Sequence, residues 1–148
     1  MKRLSKQLLA LMLCLVTSSG FAQTAKQVPA FANLPTIINC LTTEFEAIFD
    51  AKPGSFAKIS INNNLYFGGK IVYNQVKYHN LQTVAIQSAH FGDAIFSLSK
   101  QTNADKSISY VGRILKTGSS DGYELNKGEK GNYTLNKIET TDIMPVCL

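Results

Sequence analysis

The feature that most limits what this chain can fold into is a series of short alternating segments separated only by tight turns. Ala57, Ile59 and Ile61 alternate with polar positions, as do Val84 and Ile86, Ala94, Phe96 and Leu98, and Ile108, Tyr110, Gly112 and Ile114. A two-residue period puts such side chains on one face of a pleated strand. Between the runs stand turn-forming clusters: Asn62-Asn63-Asn64, Tyr78-His79-Asn80, Phe91-Gly92-Asp93, Asn103-Ala104-Asp105, Ser119-Ser120-Asp121-Gly122 and Gly128 to Asn132. Parallel neighbours need a crossover of roughly a dozen residues, which these gaps cannot supply, so the strands must pair antiparallel. With Tyr123 and Leu125, then Tyr133 and Leu135, the pattern predicts a meander of about six or seven strands. One strand carries Leu65, Phe67, Ile71 and Tyr73 on a single face, and Gly68-Gly69 inside it is expected to bend the backbone or mark a bulge.

Upstream the period is helical. At ~100° per residue, Ile37, Ile38, Leu41, Phe45, Ile48 and Phe49 share a stripe about 120° wide, with Asn39, Glu46 and Asp50 near the opposite side. Asn33 and Pro35 are start signals and Lys52-Pro53-Gly54 a stop, so the spacing predicts a helix from Pro35 to Ala51. One amphipathic helix packed on an antiparallel meander gives an α+β fold. An outer-membrane barrel would need alternating strands of about 9–11 residues and no amphipathic helix, and it is set aside.

The first residues read as an export signal rather than as part of that fold. Lys2, Arg3 and Lys6 precede an apolar run from Leu8 to Val16, and Gly20-Phe21-Ala22 offers small residues for cleavage. The run is about half the ~18 residues a membrane span requires. Cleavage is expected after Ala22, leaving a single domain of residues 23–148 with a loose lead-in at 23–33. The destination is secreted or periplasmic, with no membrane span after cleavage. Trimming removes three basic residues and no acid, so the net charge falls from +5 to +2. The remaining lysines are scattered, and nucleic-acid binding, which needs a clustered basic face, is excluded.

Of the cysteines, Cys14 leaves with the signal, and Cys40 and Cys147 remain. An even number in an exported chain points to a disulfide between them. In the chain-entropy model a loop of this length contributes about 4–5 kcal/mol. Zinc and thioredoxin-like chemistry find no ligand spacing, and no metal or cofactor is expected.

Candidate chemistry is sparse. His90 stands three residues before Asp93, and a histidine held by a carboxylate is the base half of a hydrolytic site. No G-x-S-x-G elbow supplies a nucleophile, and no glycine-rich loop leads from a strand into a helix to hold a phosphate. Six tyrosines (Tyr66, Tyr73, Tyr78, Tyr110, Tyr123 and Tyr133) lie in or beside expected strands, where a rigid apolar ring with a polar tip suits either a half-buried sheet or an interface. Asn132-Tyr133-Thr134 is a glycan acceptor sequence in a eukaryotic secretory pathway.

These absences favour a small exported domain that binds a protein or a small ligand without catalysing a reaction. Gly68, Gly69, Tyr78, His79 and His90 are its candidate binding residues. The alternatives are a secreted hydrolase using His90 and Asp93, and a structural component of an envelope or surface.

Overall fold

A computed structural model describes residues 27–62 and 65–140. The expected export signal, the cleavage expected after Ala22 and Cys147 lie outside the described residues. Eight strands occur among these residues: β1 (Ile37–Cys40), β2 (Phe56–Asn62), β3 (Leu65–Tyr78), β4 (Leu81–Ser88), β5 (Ala94–Thr102), β6 (Ile108–Leu115), β7 (Asp121–Lys127) and β8 (Tyr133–Glu139). One α-helix, α1 (Thr42–Asp50), follows β1, and a 3-10 turn (Ala89–Phe91) joins β4 to β5.

All neighbouring strands are antiparallel, and the sheet runs β1-β8-β7-β6-β5-β4-β3-β2. The α+β class and the antiparallel sheet are therefore as expected, but the six-or-seven-strand meander is not. Consecutive strands pair from β2 to β8, while β1 pairs with β8 at the far side. The two edge strands, β1 and β2, thereby approach each other, and the sheet curls into a nearly closed barrel.

The helix prediction was half right. Residues 37–40, which lie within the expected helix, form strand β1, with Ile38 opposite Leu135 and Cys40 opposite Tyr133. Their burial alternates, Ile38 and Cys40 in, Ile37 and Asn39 out. Ile37 and Leu41, assigned to the buried stripe, are 61% and 64% exposed. The reason is tertiary: β-branched Ile37 and Ile38 suit a pleated edge, and β8 offers them a ladder that a free helical turn lacks.

What remains is a nine-residue helix, too short to be stable alone. It is held by burial of Phe45, Ile48 and Phe49, each worth about 1.5–3 kcal/mol relative to exposure. Rather than lying along a flat face, α1 crosses one end of the barrel. Phe45 meets the rings of Tyr110 and Tyr133 edge-on at 5.1 and 6.0 Å. Asn74 Nδ2 donates to the carbonyls of Phe49 and Ala51 at 2.9 and 2.7 Å, and Gln82 Nε2 to that of Phe49 at 3.1 Å. Those amides satisfy carbonyls that a helix C-terminus leaves without partners. Glu46 accepts from Tyr110 Oη and Lys100 Nζ, and these two contacts hold its carboxyl below the usual range, Lys100 contributing most.

The opposite end is filled by aromatic rings. Phe31 is buried against Tyr123 and Phe91, and Phe91 stacks on Phe67 with the planes 4° apart. The segment carrying Phe31 is tied down at several points. The carboxylate of Asp121 accepts from the Ala30 and Phe31 amides, Lys137 Nζ donates to the Phe31 and Leu34 carbonyls, and Tyr123 Oη donates to that of Pro35. Burial, then the nearby Asp121 charge, raises the Tyr123 hydroxyl to about 12.

Between these ends the interior is apolar, with Ile59, Phe67, Ile71, Ile86, Phe96 and Leu98 all buried, so the space under the helix is core. Outward positions such as Lys58, Lys70, Ser97 and Arg113 are polar. The outer face also carries exposed apolar side chains, among them Phe56, Val72, Ile95 and Val111. Among the described residues no helix is long and apolar enough to cross a membrane.

Candidate ligand-binding groove

The strands leave no room for a Cβ at Gly68, Gly69, Gly112 and Gly122, and Gly68-Gly69 is where two such positions stand side by side. β3 is fourteen residues long and serves two partners: its first half pairs with β2, its second with β4, and Lys70 pairs with both Phe56 and Gln87. At that handover the backbones crowd. A Cβ on Gly69 would fall 2.0 Å from the Gln87 carbonyl oxygen, far inside any real contact. The register through the glycine pair is unbroken, so the bulge expected there is not at the glycines; what requires glycine at 69 is close backbone approach. A register shift between Ile71 and Tyr73 follows. The extra residue turns Tyr73 to the outer face, where it is 39% exposed, contrary to the shared face expected for Ile71 and Tyr73.

Gly68 faces outward. A Cβ there would lie 2.7 Å from Tyr66 Cε2 and 2.8 Å from Phe56 Cζ, so two aromatic side chains converge over the bare backbone. Rings covering a strand glycine are a known way of shielding it. Here much of each ring still faces solvent, Phe56 being 64% exposed and Tyr66 49%. Lys58 Nζ sits 5.4 Å from the Tyr66 ring centre, within the range of a cation–π contact.

Beside this pair runs a groove of about 520 Å³, floored by Gly68 and Gly69 and bordered by Lys70, Gln87, Ala89 and His90. His90 is held in the 3-10 turn, its ring 5.0 Å from that of Phe91 and nearly perpendicular to it. On the other side of the pair, toward the helix, lies a hollow of about 570 Å³ lined by Thr43, Glu44, Ala47 and Lys58, and by Phe56 and Tyr66 again. Glu44 is engaged there, accepting from the Ser60 amide at 3.3 Å and from its hydroxyl at 2.6 Å. A larger hollow, about 770 Å³, lies over the outer face of β5 and β6. Its guanidinium, Arg113, is already paired with Glu124 at 2.6 Å.

Three of the five candidate binding residues, Gly68, Gly69 and His90, therefore line one groove. Tyr78 and His79 do not: they form the exposed tip of the β3–β4 hairpin, on the order of 30 Å further along the strand at ~3.3 Å per residue. His90 and Asp93 open onto different hollows. Asp93 takes a left-handed conformation (φ 62°) with its amide donating to the Ser88 carbonyl. The ion pairs among the described residues are Lys100–Glu46 and Arg113–Glu124, so none joins His90 to Asp93. Nor do those residues contain a group of three His, Cys, Asp or Glu side chains placed to hold a metal.

Sequence reasoning missed Phe56, Lys70 and Gln87. The signal was the glycine at 68 with a large ring two residues before it. The ring at 56, two pairs along the opposite strand, could be found only with the register in hand.

Cys40 is buried, and burial pushes its thiol up to about 11; no disulfide occurs among the described residues. Comparison of the chain with protein-family models, with curated proteins and with solved structures found no match.

Proposed function

We propose that this is an exported, non-catalytic binding domain whose ligand seat is the groove at Gly68-Gly69, on the outer face of the sheet rather than under the helix. The observation that carries the reading is the convergence of two solvent-exposed rings, Phe56 and Tyr66, over a glycine floor bordered by Lys70, Gln87 and His90. Concave, partly apolar sites with a few directed polar groups are where small ligands bind. Bare backbone at the floor lets a ligand come closer than any side chain would allow. Export rests on the basic and apolar leader alone.

A Cys40–Cys147 bridge belongs to the same proposal. Cys40 stands opposite Tyr133 at the start of β8, and an even pair of cysteines in an exported chain favours their joining. Intact mass after alkylation in denaturant without reductant tests it: no alkylated thiol supports the bridge, and alkylation of Cys40 and Cys147 overturns it.

The binding reading is tested by thermal shift, using a panel of neutral and acidic oligosaccharides, aromatic carboxylates and short peptides. The wild type is compared with the Phe56→Ala/Tyr66→Ala double variant. A ligand at 100 times its Kd stabilises the native state by about 2.7 kcal/mol, a shift on the order of 10 °C for a domain of this size. The shift should vanish in the double variant. Equal shifts in both proteins, or none with any panel member, would overturn the reading.

A further inference from the structure

Resting on the groove as the ligand seat, we propose that its ligand class is an acidic oligosaccharide, laid across the Phe56–Tyr66 pair with its carboxylates toward Lys58, Lys70 and His90. Three observations lead there. The first is shape. The two hollows, about 520 and 570 Å³, both include Phe56 and Tyr66 in their walls, so the rings form a ridge between two open troughs. An extended ligand that drapes over a ridge fits this surface better than a compact one enclosed in a pocket.

The second is charge. Lys58, Lys70 and His90 line the two troughs, and their one carboxylate, Glu44, already takes the amide and hydroxyl of Ser60. A ligand lying there meets two ammonium groups, Lys58 and Lys70, against the single carboxylate of Glu44, a net positive charge that favours an anionic ligand. Gln87 and the Thr43 hydroxyl add neutral hydrogen-bonding groups suited to ring hydroxyls.

The third observation separates a sugar from an acidic peptide. A peptide binds a sheet edge by adding a strand, and its affinity comes from the main-chain ladder. β2 is the nearer of the two edge strands, but it approaches β1 and its Ser60 amide is occupied by Glu44. The ladder is interrupted where the peptide would need it. A pyranose chain uses ring faces and hydroxyls, which the exposed faces of Phe56 and Tyr66 and the polar border supply.

The probe is trigalacturonate, titrated calorimetrically into the full exported protein, with its methyl ester as the uncharged counterpart. The inference expects binding of the acid form, at least tenfold weaker binding of the ester, and weakening of the acid form as salt rises and screens surface charge. Lys70→Gln should remove most of the preference for the acid form, and Tyr66→Ala should weaken both forms together. Both positions are solvent-exposed, and circular dichroism verifies that the variants are folded. Equal binding of acid and ester, or binding that Lys70→Gln and Tyr66→Ala leave intact, overturns the inference. So does failure of trigalacturonate to bind while another panel member still loses its shift on Phe56→Ala/Tyr66→Ala, an outcome that leaves the groove as a seat for different chemistry. Silence of the groove toward every compound removes both.

Discussion

Asp121→Asn is the perturbation that most sharply separates a loose N-terminal segment from one built into the fold. Asp121 is 6% exposed. Its Oδ1 accepts from the Ala30 amide at 2.7 Å and from the Ser119 hydroxyl at 2.7 Å, and Oδ1 and Oδ2 straddle the Phe31 amide at 3.2 and 3.1 Å. Asparagine keeps one oxygen but turns the other acceptor into an NH₂ facing a buried N–H, two donors with nothing between them. Hydrogen bonds to a charged group contribute about 1.5–3 kcal/mol, and leaving a buried donor without a partner costs about 1–3 kcal/mol. These terms overlap rather than add, so the expected loss is about 2–4 kcal/mol. For a domain of a little over 100 residues that lowers Tm by about 8–16 °C. The assay is thermal unfolding by far-UV circular dichroism, with the tyrosine near-UV signal recorded alongside, because Phe31 packs edge-on against Tyr123 at 5.7 Å. A Tm within about 2 °C of wild type, corresponding to about 0.5 kcal/mol, would mean that the carboxylate does not anchor the segment.

Other outcomes follow from the same contacts. Phe45→Ala should cost about 3–5 kcal/mol, measured by urea unfolding, whereas Ile37→Ser, on the exposed side of β1, should change stability by no more than about 0.5 kcal/mol; a helix spanning residues 35–51 would make both costly. Glu46 has its carboxyl held low by Lys100 and then Tyr110, so its contribution is fully present above the ordinary carboxylate range and is lost as pH falls through the depressed native value. Acid unfolding of Glu46→Gln should accordingly fall off less steeply below about pH 4.5 than wild type, and parallel curves would contradict that. Gly69→Ala forces β3 and β4 apart at a contact of 2.0 Å and should destabilise by about 1–3 kcal/mol or more, again read by urea unfolding.

Much of the sheet was legible because period-two burial is a local signal. Val84 and Ile86, Ala94, Phe96 and Leu98, and Tyr123 and Leu125 point inward as their spacing required. The misreadings have non-local causes. Four residues at 37–40 fit a helical stripe and a strand face equally well, and the deciding partner, Tyr133 to Asn136, lies almost a hundred residues away. Tyr73 follows a bulge that no alternation rule anticipates. The glycine pair marked the groove's floor, but Phe56 enters the groove only through a cross-strand register, and Tyr78 and His79 are far from it because β3 continues from Gly68 to Tyr78 at the hairpin tip. The polar residues that fasten α1, Asn74 and Gln82, looked like ordinary strand positions until the helix C-terminus arrived above them.

The claim that the outer groove, and neither the hairpin tip nor the β5–β6 face, is where this domain meets its ligand is tested most directly by amide shift mapping. The ¹⁵N-labelled protein is titrated with the panel compound that stabilises it most. The account predicts that the largest shifts fall on Gly68, Gly69, Lys70, Gln87 and His90, while His79 and Val111 stay still. Largest shifts at Tyr78 and His79, or at Ile95 and Val111, would contradict it.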